Sequence, residues 1–337
     1  MPMMDVEEPL TCPKRMEYGP CGGVRADLSC EMVPRPCPFA TSGGVVRWSG
    51  PAPSGAPAAP PPKPLVLSDF TVRPYDVDSV AAVAAVLRGT CDGVLVGEHH
   101  NRPDLPPTLM TRLLGDAGLP GWITLTCRDR NRVVLEQELA GLAVAGAAGV
   151  LCVTGDGRAH GMRPGVTQVF DIDSTRLAAL AADTGLRVAV AESPDAPPVA
   201  LRPARLFEKQ RAGAQVCLLN HVGSAERVDR FLRAARACGV TLPVIAGVAV
   251  YTDERSAQAL SLPGLGLDRL AVQRVLASPD PVGAGVEAAV AEARALLAVD
   301  GVVGVNLSGL ASGRGEVAGA EVKAVVGERV REILDER

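Results

Sequence analysis

The chain reads as an α/β protein, a (β/α)8 TIM barrel preceded by a small cysteine-rich metal-binding module. Three observations predict this. Short β-branched runs alternate with longer amphipathic stretches rich in Ala, Leu and Arg, the pattern of βα units around a parallel sheet. Eight such runs fit into about 270 residues, the tally of a closed barrel. Four of the nine cysteines crowd the first 37 residues of the chain, ahead of GPAPSGAPAAPPPKP, whose composition favours an extended, solvated spacer over a packed core. The divisions are therefore a module over 1–49, a linker over 50–64 and a barrel over 65–337. An open doubly wound sheet is the alternative on pattern alone, but no GxGxxG follows the first run to support a dinucleotide-binding unit.

In chain order, the candidate strands are LVLSDF (65–70), DGVLVG (92–97), WITLTC (122–127), GVLCVTG (149–155), LRVAVAE (186–192), AQVCLLN (214–220), LPVIAGV (242–248) and GVVGVNL (301–307). Helical patterns between them include VDSVAAVAAVLRG, NRVVLEQELAGLAVAGAAG, STRLAALAADTG, SAERVDRFLRAARACG and GAGVEAAVAEARALLAVDG, most closing on a glycine suited to a helix C-terminus. Function in such a barrel belongs where strands end and βα loops begin. Those ends are polar here: Ser68-Asp69, Glu98 to Arg102, Cys127 to Asn131, Thr154 to Gly157, Glu192-Ser193, Asn220-His221 and Asn306 to Ser308. Three of the four histidines, His99, His100 and His221, fall in this set.

Composition narrows the partners. With 34 Lys+Arg against 38 Asp+Glu the net charge is −4, which disfavours nucleic acid and anionic membranes. No apolar run approaches the roughly 20 residues that span a bilayer, and MPMMDVEEPL is acidic where a secretory leader is basic and then apolar, so a cytoplasmic protein is expected. That setting disfavours stable disulfides. Cys12, Cys21, Cys30 and Cys37 are separated by eight, eight and six residues, with glycines flanking the second. Four thiolates suit tetrahedral zinc or a [4Fe–4S] cluster, and the spacing does not choose between them. The other five cysteines read as small core residues.

Two stretches carry a family resemblance. Residues 124–174, with TCRDRN, TGD and VFDIDS in order, are similar to the central segment of 5,10-methylenetetrahydrofolate reductases. Residues 12–37, CPKRMEYGPCGGVRADLSCEMVPRPC, resemble the cysteine-rich domain found beside such reductases in acetogens, as a companion protein or a fused segment. The resemblance implies a barrel that holds FAD at its strand ends, takes hydride from a nicotinamide and passes it to an iminium-like folate carbon. It implies Asp156 beside flavin and folate, and Lys209 on the FAD pyrophosphate. Asp69 stands where the family has glutamate. Asn220 stands for its glutamine and His221 for a phenylalanine, so the aromatic platform for folate is missing. The expected catalytic set is Asp69, Asp156, Asn220 and His221. The expected cofactor set is Glu98, His99, His100, Thr126, Arg128, Asp129, Thr154, Gly155, Asp156, Glu192 and Lys209. Blander roles compete: a helix cap for Asp156, a solvated helix face for Lys209, a capped loop for His221. Gly155 and Gly157 favour the close approach of a flat ligand. The leading expectation is a FAD-dependent oxidoreductase acting on a folate or folate-like small molecule. The alternatives are a flavoenzyme for a smaller C–N or N–N compound and a non-catalytic electron-relay or docking subunit. NAD(P)H as electron donor, a homo-oligomer and an electron-transfer partner all stay open.

Overall fold

The computed structural model describes residues 11–52, 65–98, 103–157, 165–261 and 266–335. Most of the Pro-rich linker, together with His99 and His100, lies outside them. The elements run α1(Pro38–Ser42), β1(Leu65–Phe70), α2(Val77–Leu87), β2(Gly93–Val96), α3(Pro107–Asp116), β3(Gly121–Thr126), α4(Arg132–Ala145), β4(Gly149–Val153), α5(Ser174–Ala182), β5(Val188–Glu192), α6(Arg202–Arg211), β6(Val216–Leu219), α7(Ala225–Ala237), β7(Val244–Tyr251), α8(Glu254–Ala259), α9(Arg269–Leu276), α10(Pro281–Leu297), β8(Val302–Ala311) and α11(Glu316–Asp335). The eight strands pair in sequence order, all parallel, and β8 closes on β1 with Leu67 opposite Asn306. All eight strand runs read from the sequence are strands, with ends shifted by a few residues. Among the described residues no helix is long and apolar enough to cross a membrane.

The helices start where short polar side chains take up free backbone N–H groups. Asp76 accepts from Ser79, Asn131 from Val134, Asp173 from Thr175 and Arg176, and Ser224 from Arg227. The strand alternation then sorts side chains into two layers. Leu65, Leu67, Trp122, Leu151, Ala189, Val216, Leu218 and Ile245 fill the barrel interior. The alternate positions, such as Val66, Ile123, Val150, Val188 and Val190, pack outward against the helices.

That period of two also decides what reaches the mouth. Asp69 continues the inward phase of Leu65 and Leu67, while Glu192 continues the outward phase of Val188 and Val190 and turns toward α6. The described N-terminal segment lies on the C-terminal ends of the strands. Lys14 Nζ donates to Gly155 O at 2.7 Å, Gly157 N donates to Glu31 Oε2 at 3.1 Å, and Arg202 donates to the carbonyls of Pro20 and Cys21. It is therefore a cap on the barrel mouth.

Four of the five cysteines read as core, Cys91, Cys127, Cys152 and Cys217, are buried. Cys238 is exposed, because it caps the C-terminal end of α7 on the solvent side.

Candidate functional site

Two cavities open at the strand ends and share a wall made of Gly97, Glu98, Thr124, Leu151, Ala191 and Asn220. The first, about 410 Å³, lies over β1, β2, β6 and β8 and is largely aliphatic, with Leu95, Leu218, Leu260 and Leu310 around Asp69, Asn220, His221, Asn306 and Ser308. The second, about 330 Å³, lies under the cap and is charged: Lys14, Arg128, Arg202, Arg205 and Lys209 face it with Glu98, Asp156 and Glu192. Both volumes fall within the range of small-molecule sites, about 300–1,000 Å³.

In the aliphatic cavity, Asp69 is gripped on all sides. Its Oδ1 accepts from Asn306 Nδ2 at 2.7 Å, its Oδ2 from Gly309 N at 3.0 Å, and its carbonyl from the ammonium of Lys323 at 2.7 Å. Burial pushes that lysine down to about 8 from its ordinary value near 10.5, although Asp69 pulls the other way. His221 is buried, and its Nε2 lies 2.7 Å from Glu292 Oε1, whose other oxygen accepts from Ala249 N on β7. Asn220 Nδ2 donates to Ser193 Oγ at 2.6 Å. Asp156 lines only the charged cavity and Asp69 only the aliphatic one, so the two carboxylates expected to share the chemistry do not share a compartment.

The charged cavity gathers most of the expected cofactor set. Glu98 accepts from Thr126 N and Oγ1 and from Arg130, which fixes the end of β3 to the end of β2. Arg128 pairs with Asp129 at 2.9 Å, and Thr154 Oγ1 accepts from Ser174 N at the start of α5. Lys209 is not the free cation that a pyrophosphate would meet: its Nζ lies 2.8 Å from Glu192 Oε2 and also donates to Ala191 O. Burial alone would raise the Glu192 carboxyl, but Lys209, Arg202 and Arg205 outweigh it and hold the group below its ordinary value. The cap also covers the turn at Gly155–Gly157. Met32 and Glu31 of the cap approach it so closely that a Cβ on Gly157 would stand 2.1 Å from Met32 Sδ.

The four N-terminal cysteines are free thiols. Cys12 has Cys21, Cys30 and Cys37 as electrostatic neighbours, Cys21 Sγ also lies 3.6 Å from Glu31 Oε1, and Cys30 Sγ accepts from Met32 N. Among the described residues no three His, Cys, Asp or Glu side chains gather in a metal-holding group. Cys21, the second of the four expected metal ligands, lies beside the Lys14–Glu31 pair.

Several site residues escaped the sequence reading. Arg202 and Arg205 stand with Lys209 at i, i+3 and i+7 on one face of α6, a basic stripe legible once α6 is known to be a helix. Asn306 was visible as a polar strand end. Lys14, Glu31 and Glu292 carried no local signal, since their partners are distant in sequence.

The sequence model of a family described as methylenetetrahydrofolate reductase matches residues 94–263, half of the chain. The chain belongs to the methylenetetrahydrofolate reductase family. The matched span runs from β2 through β7 and α8, so the family match includes Asp156, Glu192, Lys209 and Asn220, while Asp69, Asn306 and the cap lie outside it. A protein from Clostridium thermocellum, described as uncharacterized and as binding two copies of 5-methyl-5,6,7,8-tetrahydrofolic acid, superposes with a TM-score of 0.60 at 12% identity, over 80% of this chain and 96% of its own. A 2,3-dimethylmalate lyase superposes with a TM-score of 0.46 at 11% identity, over 81% of each chain. A tryptophan synthase from M. tuberculosis gives 0.44 at 16% identity, over 80% of this chain and 94% of its own. At these identities the likeness is one of fold alone. No curated protein matches the chain.

Proposed function

We propose that this member of the methylenetetrahydrofolate reductase family binds a reduced folate at the barrel mouth and reduces its one-carbon unit. The flat heterocycle lies in the aliphatic cavity with Asp69 at its polar edge. The observation that carries the reading is Asp69 itself, a carboxylate locked by Asn306 and Gly309 in a largely aliphatic pocket of about 410 Å³ whose polar groups include Asn220, His221 and Ser308. A carboxylate so placed complements the adjacent N–H donors of a reduced pterin, and charge-assisted bonds of this kind are the strong ones. The folate-binding description of the C. thermocellum neighbour supports the same substrate class. Leu95, Leu218, Leu260 and Leu310 line the cavity with one phenylalanine, Phe70, so apolar contact area takes much of the place of ring stacking.

FAD, which the resemblance implies, finds a basic helix face for its phosphates on α6. It finds no open turn for its ring, because Lys14, Glu31 and Met32 occupy Gly155 to Gly157. The residues present therefore do not fit the whole cofactor, and the reading is a folate site without flavin. Hydride transfer then calls for a reduced nicotinamide as direct donor. The same occupied turn favours a second reading, folate binding without reduction.

Titration with 5-methyltetrahydrofolate and an assay of NADPH oxidation with 5,10-methylenetetrahydrofolate test both. Binding that weakens about tenfold or more in Asp69→Ala is expected. Binding without turnover selects the second reading, and wild-type protein that binds no folate overturns both.

A further inference from the structure

We propose that the charged cavity is an anion subsite centred on Arg205, and that it takes the carboxylates of the folate's glutamyl tail. The proposal rests on the reduced-folate reading for the identity of the anion, and on the geometry of α6 for its existence.

Arg202, Arg205 and Lys209 are all buried on one face of α6, opposite the end of β5. One buried carboxylate, Glu192, answers these three cations. It pairs with Lys209 at 2.8 Å and with Arg202 at 3.6 Å. The remaining N–H groups of Arg202 go to the carbonyls of Ala196, Pro197, Pro20 and Cys21. Arg205 is left over. It is 2% exposed, and among the described residues its one hydrogen bond is a 3.3 Å contact from Nη1 to Thr175 Oγ1, with no carboxylate at ion-pair distance. A guanidinium carries five N–H donors, and a buried charge without a partner is among the costliest arrangements a fold can hold. The surplus is also felt by its neighbours: burial lowers Lys209 and Arg202, and Arg205 lowers both further.

An anion entering this cavity would complete the set. The fork of Arg205 suits a planar carboxylate, and Ser193 Oγ and Asn220 stand on the path from the aliphatic cavity. Because the two cavities share a wall at Asn220 and Ala191, one elongated ligand with a flat head and an acidic tail spans both. The cap supplies the roof. Gly19 passes so near that a Cβ there would lie 3.1 Å from Arg205 Cδ.

The test compares the affinities of 5-methyltetrahydropteroate, which lacks glutamate, and 5-methyltetrahydrofolate with one and three glutamates. Each is measured with wild-type protein, Arg205→Gln and Arg205→Lys, with thermal melts to verify folding. In wild type, removing the glutamate should weaken binding by about tenfold or more. In Arg205→Gln all three ligands should bind like the pteroate, with partial recovery in Arg205→Lys. Equal affinities for pteroate and glutamates in wild type overturn the proposal without any variant. Pyrophosphate or NADPH that occupies the Arg205 site while leaving the glutamate effect intact makes it a phosphate site and overturns the glutamyl assignment. If no folate binds, the folate reading has failed. Inorganic pyrophosphate then decides the subsite alone: binding lost in Arg205→Gln keeps it, and no binding to wild type overturns it.

Discussion

At the scale of single residues, Asp69 owes its position to groups that meet only in the fold. Lys323 on α11 reaches under β1 to hold its carbonyl, and Asn306 on β8 holds its carboxylate. The lysine carries a cost, since burial lowers it to about 8. Above pH 8 the folded chain gives up this proton while the unfolded chain keeps its own until about 10.4, so the unfolded state binds more protons and stability rises with pH across that window. Relative to Lys323→Met, wild-type protein should therefore gain stability between pH 7.5 and 10, by up to about 3 kcal/mol. Denaturant unfolding at the two pH values measures it, and a pH-independent difference would remove the lysine from the titration. Asp69 was legible in the sequence as an acidic strand end. Its clamp was not, because 237 residues separate it from Asn306, and no local pattern records such a pairing.

At the scale of elements, the eight strands were legible because buried parallel strands leave β-branched runs that little else produces. Helix α6 was harder. Its charged composition conceals that Arg202, Arg205 and Lys209 face inward, where Lys209 meets Glu192. Arg202 joins two elements and the cap, through Ala196, Pro20 and Cys21. Arg202→Met should cost about 3 kcal/mol or more, since it leaves the buried carbonyls of Ala196, Pro197, Pro20 and Cys21 without their donor. The loss should concentrate in the cap. Limited proteolysis is expected to cut within residues 11–49 well before the barrel, and uniform cleavage of both would mean that Arg202 supports the barrel alone.

At the scale of the molecule, barrel and cap form one site with a floor and a roof. The cysteine pattern announced a separate module but not its seat, which depends on Lys14, Glu31 and Met32 meeting the β4 turn. If that contact excludes the flavin ring, wild-type protein mixed with FAD should retain none through gel filtration. Loosening the contact with Lys14→Met and Glu31→Gln together should increase retention. Flavin held as firmly by wild type as by the double variant would mean that the cap and the ring coexist. The cap is tethered in the same chain as the surface it covers, which sets its occupancy. Docking is unimolecular, and its strength is set by an effective concentration in place of a free one. A change that weakens cap contacts tenfold would empty the site of a freely diffusing subunit at cellular dilution, yet leave this one mostly seated. The stoichiometry of roof to barrel is thus fixed at one to one at any protein concentration.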